Sequence, residues 1–206
     1  MKKFELNGRE FEMPTEWSEI TLRHYVELTK LEETKANFLL GELYLLKVIE
    51  CLCGAEGGDL DDLTIDMVSD LSGSVGFLQQ EPKWENTRNI KIGDIDYVFP
   101  ADLNKLTMGE YISIKTLQEN TPSQAEAIPY IIAVILRPGK LVKDEETGQE
   151  RWVQDKFDAN NIEWRKELFL KQPVFDLMGP VTFFLNGSGL SMKDTKDSTE
   201  EVQEKI

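Results

Sequence analysis

Apolar and polar residues alternate through Lys3-Phe4-Glu5-Leu6 and alternate back through Arg9-Glu10-Phe11-Glu12-Met13. Between them Asn7-Gly8 supplies two residues that tolerate positive φ, the strongest short-range signal for a β-hairpin. The pattern returns at Ile90-Lys91-Ile92, Gly93-Asp94 and Ile95-Asp96-Tyr97-Val98-Phe99. Each return strand stops at a proline, Pro14 or Pro100, which has no N–H with which to continue a ladder.

The hydrophobic period then changes to that of a helix. Thr21 and Thr107 are the expected N-caps, and Thr107-Met108-Gly109-Glu110 fits a capping box. Behind them Leu22, Tyr25, Val26 and Leu28 correspond to Met108, Tyr111, Ile112 and Ile114. The spacing near i, i+3, i+4 predicts the buried face of an amphipathic helix in each case, with Tyr111 in the core and Leu31 and Leu117 adding a turn. A second helix follows, with Tyr44-Leu45-Leu46 and Val48-Ile49 matched by Tyr130-Ile131-Ile132 and Val134-Ile135. Being apolar nearly all round, it is expected at the centre of each unit. Its second copy is expected to start with Thr121 as cap, Pro122 at the first helical position and Gln124 at the third. Thr64 should cap a third helix over 65–71, and Asn161 should precede its counterpart over 163–170. Apolar runs at 75–78 and 181–185 close the two stretches.

These matches share one offset. Residues 11–26 align without a gap on residues 97–112, 86 positions on, and the register persists into the second helix. A fixed-period self-match defines the structural unit. The expected fold is therefore α+β and mostly helical, a tandem duplication of a β-hairpin plus about three helices. Residues 1–86 form the first unit, 87–189 the second, and the polar segment 190–206 an expected disordered tail. The halves diverge around 138–158, an insertion in the second unit whose alternation about Thr147-Gly148 predicts a protruding hairpin. Loops are where binding residues concentrate. Trp152, with Val142, Arg151 and Val153 beside it, is the expected partner contact, because large aromatics dominate interface energetics. Trp17 aligns with Leu103, which points instead to packing.

Charge narrows the function. Lys and Arg number 23 against 38 Asp and Glu, a net of −15, and residues 1–86 hold 8 against 18. Such a surface repels phosphate backbones, and no basic cluster offsets it, so direct nucleic-acid binding is not expected. Lys2-Lys3 is followed by polar residues rather than the apolar stretch of a signal peptide, and no apolar run nears the roughly 20 residues of a spanning helix. The expected location is the cytosol or a particle assembled there, with no membrane partner. Cys51-x-Cys53 suits neither a disulfide framework nor a zinc knuckle, and both are expected to be reduced core thiols.

Little catalytic chemistry is present. The one histidine, His24, falls at the third position of the first helix and reads as an exposed structural residue, without triad partners. A zinc site from His24, Cys51 and Cys53 lacks a fourth ligand. Asp59, Asp61, Asp62, Asp66 and Asp70 suggest calcium, but an EF-hand counted from Asp59 fails at Leu63, Thr64 and Asp70. Neither Gly73-Ser74-Val75-Gly76 nor Asn186-Gly187-Ser188-Gly189 has the strand-before, helix-after setting of a nucleotide loop. No residue is assigned a catalytic, cofactor-binding or metal-binding role, and a metal-dependent enzyme built on clustered carboxylates is the least supported alternative.

The hairpin followed by Pro14-x-x-Trp17-x-x-Ile20-Thr21-Leu22-x-x-Tyr25, repeated as Pro100-x-x-Leu103-x-x-Leu106-Thr107-Met108-Gly109-Glu110-Tyr111, resembles small acidic proteins encoded among the morphogenesis genes of tailed bacteriophages. Tail assembly chaperones and small virion components share this pattern. The resemblance implies a non-enzymatic protein without a cofactor that binds other phage structural proteins in the host cytoplasm during assembly. A virion structural or packaged protein is the alternative. Partner and oligomeric state stay open.

Overall fold

The computed structural model describes residues 1–84, 87–100, 106–143, 145 and 148–187. The 190–206 tail, Thr147 at the expected hairpin tip and Leu103 opposite Trp17 lie outside the described residues. Among the described residues, seven α-helices and two small antiparallel sheets make the architecture α+β and mostly helical.

Both expected hairpins form. β1 (Lys2–Leu6) pairs with β2 (Arg9–Met13) so that Phe4 faces Phe11, and their rings stack at 5.3 Å. Asn7 and Gly8 turn with φ of 54° and 76°, the pair of positive values that a type I′ turn needs. β3 (Asn89–Ile92) pairs with β4 (Ile95–Val98) across Gly93, which takes φ 60°.

Helices α1 (Leu22–Thr34), α2 (Gly41–Cys53) and α3 (Ile65–Ser74) follow the first hairpin. After the second come α4 (Met108–Asn120) and α5 (Gln124–Ile135), then strands β5 (Arg137–Lys143) and β6 (Glu150–Gln154), then α6 (Ile162–Phe169) and α7 (Val174–Gly187). The first stretch runs hairpin, helix, helix, helix, and the second runs hairpin, helix, helix, strand pair, helix, helix. The apolar run at 75–78, however, forms only a short 3-10 turn, whereas the run at 181–185 belongs to a full fourth helix. The inserted hairpin forms as expected, but it does not stand free. Tyr97 and Val98 of β4 pair with Pro138 and Arg137, giving one sheet in the order β3-β4-β5-β6. At Gly139 a Cβ would lie 2.7 Å from the Val153 carbonyl oxygen and 2.8 Å from Val98 Cγ2, so only glycine fits where three strands meet.

Thr21, Thr64 and Thr107 cap their helices as expected. The cap of α5 is Ser123, not Thr121. Ser123 Oγ accepts the Glu126 N–H at 3.3 Å, whereas Thr121 closes the preceding helix by donating its N–H to the Leu117 carbonyl. Pro122 falls between the two helices.

Burial does not follow the 86-residue alignment. In α1 Leu22 and Val26 are buried, but their counterparts Met108 and Ile112 are 70% and 54% exposed, and Tyr111 is 47% exposed. α4 buries Glu110 and Ile114 instead, two positions on and so about 200° round the helix. The expectation that Tyr111 is core is wrong, and the cause is electrostatic. Glu110 Oε1 lies 2.6 Å from the Arg137 guanidinium in an almost fully buried ion pair, while Oε2 accepts the Thr107 N–H at 2.6 Å. Arg137 also donates to Gln154 Oε1 at 3.0 Å, and Gln154 Nε2 donates to the Ile135 carbonyl at 2.7 Å and to that of Val98. The inserted sheet therefore turns α4 inward on its capping glutamate.

The two sequence halves share one core. The Leu22 N–H donates to the Gln172 carbonyl at 2.9 Å, Arg23 N–H to Leu170 at 3.0 Å and Val174 N–H to Ile20 at 2.8 Å. Orphan donors at the start of α1 are thus satisfied by the far end of the chain. Helix α5 is the hub, buried from Ala125 through Ile135 except at Glu126 and Tyr130 and packed by α1, α4 and α6. Its counterpart α2 packs mainly on α1, β2 and α3, and Tyr44, Leu45 and Leu46 remain half-exposed. α2 is not the centre of its half.

Candidate functional site

The incomplete covering of α2 leaves a groove. A cavity of about 550 Å³ opens between α1 and α2, with Trp17 and Val75 at its inner end. Tyr25, Leu28 and Thr29 line one wall, and Tyr44, Leu45 and Val48 the other. Tyr25, Leu28 and Thr29 are spaced i, i+3, i+4 and Tyr44, Leu45 and Val48 i, i+1, i+4, so each helix presents one face to the space between them.

Aromatic rings fix the floor. Trp17 meets Phe77 edge-to-face at 5.7 Å and Trp84 at 6.0 Å, and Trp84 meets Tyr25 at 5.9 Å and Phe175 at 5.4 Å. Trp17 Nε1 donates to the carbonyls of Phe77 (3.1 Å) and Gln80 (3.0 Å), which satisfies its polar edge and leaves an apolar face. Trp17 therefore packs, as the sequence suggested, but on the lining of a groove.

At the opposite end Tyr44 Oη donates to Glu32 Oε2 at 2.5 Å, and Lys35 reaches both Glu32 (3.0 Å) and the Tyr44 ring face (5.0 Å to its centroid). Burial and the adjacent carboxylate push the Tyr44 hydroxyl up to about 12. The same hydrogen bond, helped by Lys35, holds Glu32 below its ordinary value. Tyr44 stays a neutral donor and Glu32 an anion at any physiological pH. Phe38 packs edge-on against Tyr44 at 5.7 Å. Beyond it Leu39 is 96% exposed, Leu40 57% and Leu43 48%. Three exposed leucines within five residues give this stretch more apolar surface than single scattered side chains would. Leu40 is also the N-cap of α2 and offers no side-chain cap.

The residues singled out from sequence are only partly brought together. Leu141 faces Trp152 across the β5-β6 pair, while Val142 faces Arg151 and Lys140 faces Val153. Strand alternation then puts Trp152 on one face of the hairpin and Val142, Arg151 and Val153 on the other. Trp152 is half-buried, so one partner surface cannot cover all four residues.

His24 is half-buried rather than exposed, and it completes a capping box. Its Nδ1 accepts the Thr21 N–H at 3.3 Å and Thr21 Oγ1 accepts the His24 N–H at 3.4 Å, the arrangement Glu110 makes with Thr107. Burial, with the charge of Arg23, lowers the His24 pKa. The folded state thus resists protonation more than the unfolded chain, whose histidine titrates near about 6.5. The stabilisation is complete above that pH and is lost as pH falls through the lower folded value. The melting temperature should fall between pH 7.5 and 5.5 more steeply than that of His24→Gln; parallel curves by calorimetry would contradict this role.

Three of the five residues in the acidic cluster hold the first hairpin. Arg9 pairs with Asp59 at 2.6 Å, Asn7 donates to Asp62 at 2.8 Å and Lys2 pairs with Asp70 at 2.6 Å. Among the described residues no group of three or more His, Cys, Asp or Glu is placed to hold a metal ion. Cys51 and Cys53 are half-buried and unpaired, and burial pushes the Cys51 thiol up to about 12, so it is a poor nucleophile. No described helix is long and apolar enough to cross a membrane. The chain matches no protein-family model, no curated protein and no solved structure.

Proposed function

We propose that this chain is a non-enzymatic binding protein of tailed-bacteriophage assembly, acting like a tail assembly chaperone on another tail or virion protein. The phage setting rests on the resemblance of the repeated Pro-x-x-Trp/Leu-x-x-Ile/Leu-Thr motif. The binding role is carried by one observation: an aromatic groove left open between α1 and α2 on a chain of net charge −15. Apolar surface kept beside water in so polar a protein fits transient cover for another chain's apolar segment. The polar groups around it are tied to one another, which suits a rim better than a reaction centre.

Co-expression with the tail and neck proteins of the same phage, followed by size exclusion and mass spectrometry, tests this. A stoichiometric complex with one of them, and absence from purified particles, is the expected result. A fixed copy number in particles would make it a virion component instead. Elution alone in the presence of every such protein would contradict the reading.

A further inference from the structure

We infer that the free edge of β3 takes an extended, basic segment of a partner protein as an added strand. This contact is separate from the α1–α2 groove and holds whether or not that groove is occupied. β3 ends the sheet of order β3-β4-β5-β6, so one side of its backbone pairs with β4 and the other has no strand beside it. The register decides which groups are left over. Phe99 N–H donates to the Arg88 carbonyl at 2.9 Å, and antiparallel ladder bonds recur at every second residue, so Ile90 and Ile92 turn their N–H and C=O toward β4. Asn89 and Lys91 therefore turn theirs outward, and neither finds a backbone partner there among the described residues. A cavity of about 240 Å³ borders the strand. Its lining includes Asn89, Ile90, Lys91 and Ile92 in succession, and residues of both strand faces border one space at the strand's edge.

The opposite wall sets the charge of the occupant. Asp176 of α7 has no partner for its carboxylate among the described residues, and partial burial raises its pKa with no cation to offset it. Gln172 commits its Nε2 to the Leu168 carbonyl at 3.0 Å, which leaves Oε1 as an acceptor. Lys91, the one cation on the described lining, stands opposite Asp96 in the β3–β4 register. The Thr87 hydroxyl oxygen, also on the lining, is buried without a hydrogen-bond partner. A lysine or arginine on the added strand complements such a wall, while the strand's own N–H and C=O groups satisfy Asn89 and Lys91. A second copy pairing edge to edge would instead bring together two chains of net charge −15.

The test uses the full chain and a capped peptide of alternating valine and lysine, about seven residues long, the length of an ordinary strand. Binding is read from the amide NMR signals of the protein. Shifts and slowed hydrogen exchange at Asn89 and Lys91 are expected. Lys91→Pro removes an outward donor and none from the β3–β4 ladder, a place where an edge strand tolerates proline. It should keep the hairpin and abolish binding, whereas Lys91→Thr retains the N–H and should bind like the unaltered chain. Asp176→Asn should weaken binding by about twofold to fivefold, the scale of a partly screened ion pair. Asp176→Lys should reverse the preference in favour of a valine–glutamate peptide. Methylating every backbone nitrogen of the valine–lysine peptide keeps its charge and should abolish binding, a result that decides the matter even if Lys91→Pro fails to fold. Equal binding by the methylated peptide or by folded Lys91→Pro overturns the added strand, as does no shift at Asn89 with peptide at about 1 mM. Equal binding of the valine–glutamate peptide to the unaltered chain overturns the basic occupant. Self-association of the chain that Lys91→Pro abolishes would give the edge to a second copy and overturn the assignment.

Discussion

Glu110→Ala is expected to destabilise the fold by about 3–5 kcal/mol, the cost of leaving one member of a buried ion pair without its partner. Three losses coincide in that change. The Arg137 guanidinium, almost fully buried, keeps Gln154 as acceptor but loses its charged partner, and its Nε already lacks a hydrogen-bond partner among the described residues. The Thr107 N–H at the start of α4 loses its acceptor. The base of the inserted sheet loses its tie to α4, since Arg137 opens β5. Arg165, buried nearby and lowered in pKa mainly by burial and then by Arg137, would sharpen the penalty, because two cations would face each other with less compensation. Glu110→Gln keeps the shape and the acceptor oxygen and should cost less. Urea denaturation followed by circular dichroism measures both, and a Glu110→Ala change near zero would show that the pair is not formed.

On the same helix, Ile114→Ala should cost about 2–5 kcal/mol, as burying a large aliphatic group and then deleting it does. Tyr111→Ala should stay within about 1 kcal/mol, because nearly half of the tyrosine is already in water. The contrast tests which face of α4 is inward. The sequence alignment demands the opposite ranking, with Tyr111 costly alongside its counterpart Tyr25. Equal losses at both positions, read from denaturation midpoints at constant slope, would contradict the rotation described above.

What could be read from the chain was local, and the reasons are physical. Asn7-Gly8 and Gly93 specify their turns through φ alone, and Thr21, Thr64 and Thr107 specify helix starts through a hydrogen bond two or three residues away. Such signals need no knowledge of the rest of the fold. The inward face of α4 was illegible because Arg137, distant in sequence, sets it by pulling Glu110 under the sheet. The start of α5 was misplaced because Thr121, Pro122 and Ser123 each carry a helix-start signal, and the Leu117 carbonyl claims Thr121 for the preceding helix. His24 was readable only as an unpartnered polar residue, since the usual capping-box sequence names Glu or Gln at that position.

The candidate site was still less legible. Trp152 drew attention as an aromatic on an insertion, yet strand alternation separates it from Val142, Arg151 and Val153. The groove comes from two helices approaching without a third to cover them, which no spacing in either helix encodes. One signal was available: Phe38-Leu39-Leu40 is an apolar run with no period, at the place where the second half has Gln124-Ala125-Glu126 inside a buried helix. Apolar residues where the duplicate pattern needs none are a mark of contact with something else.

Amide hydrogen exchange on the complex with its co-purified partner tests the central claim most directly, because it reports protection by segment. Slowed exchange over residues 25–48, with 108–116 and 141–153 unchanged, is the pattern required if α1 and α2 clasp the partner. Protection confined to the inserted hairpin, with α1 and α2 exchanging as in the free protein, would move the binding surface elsewhere and leave the groove a packing feature.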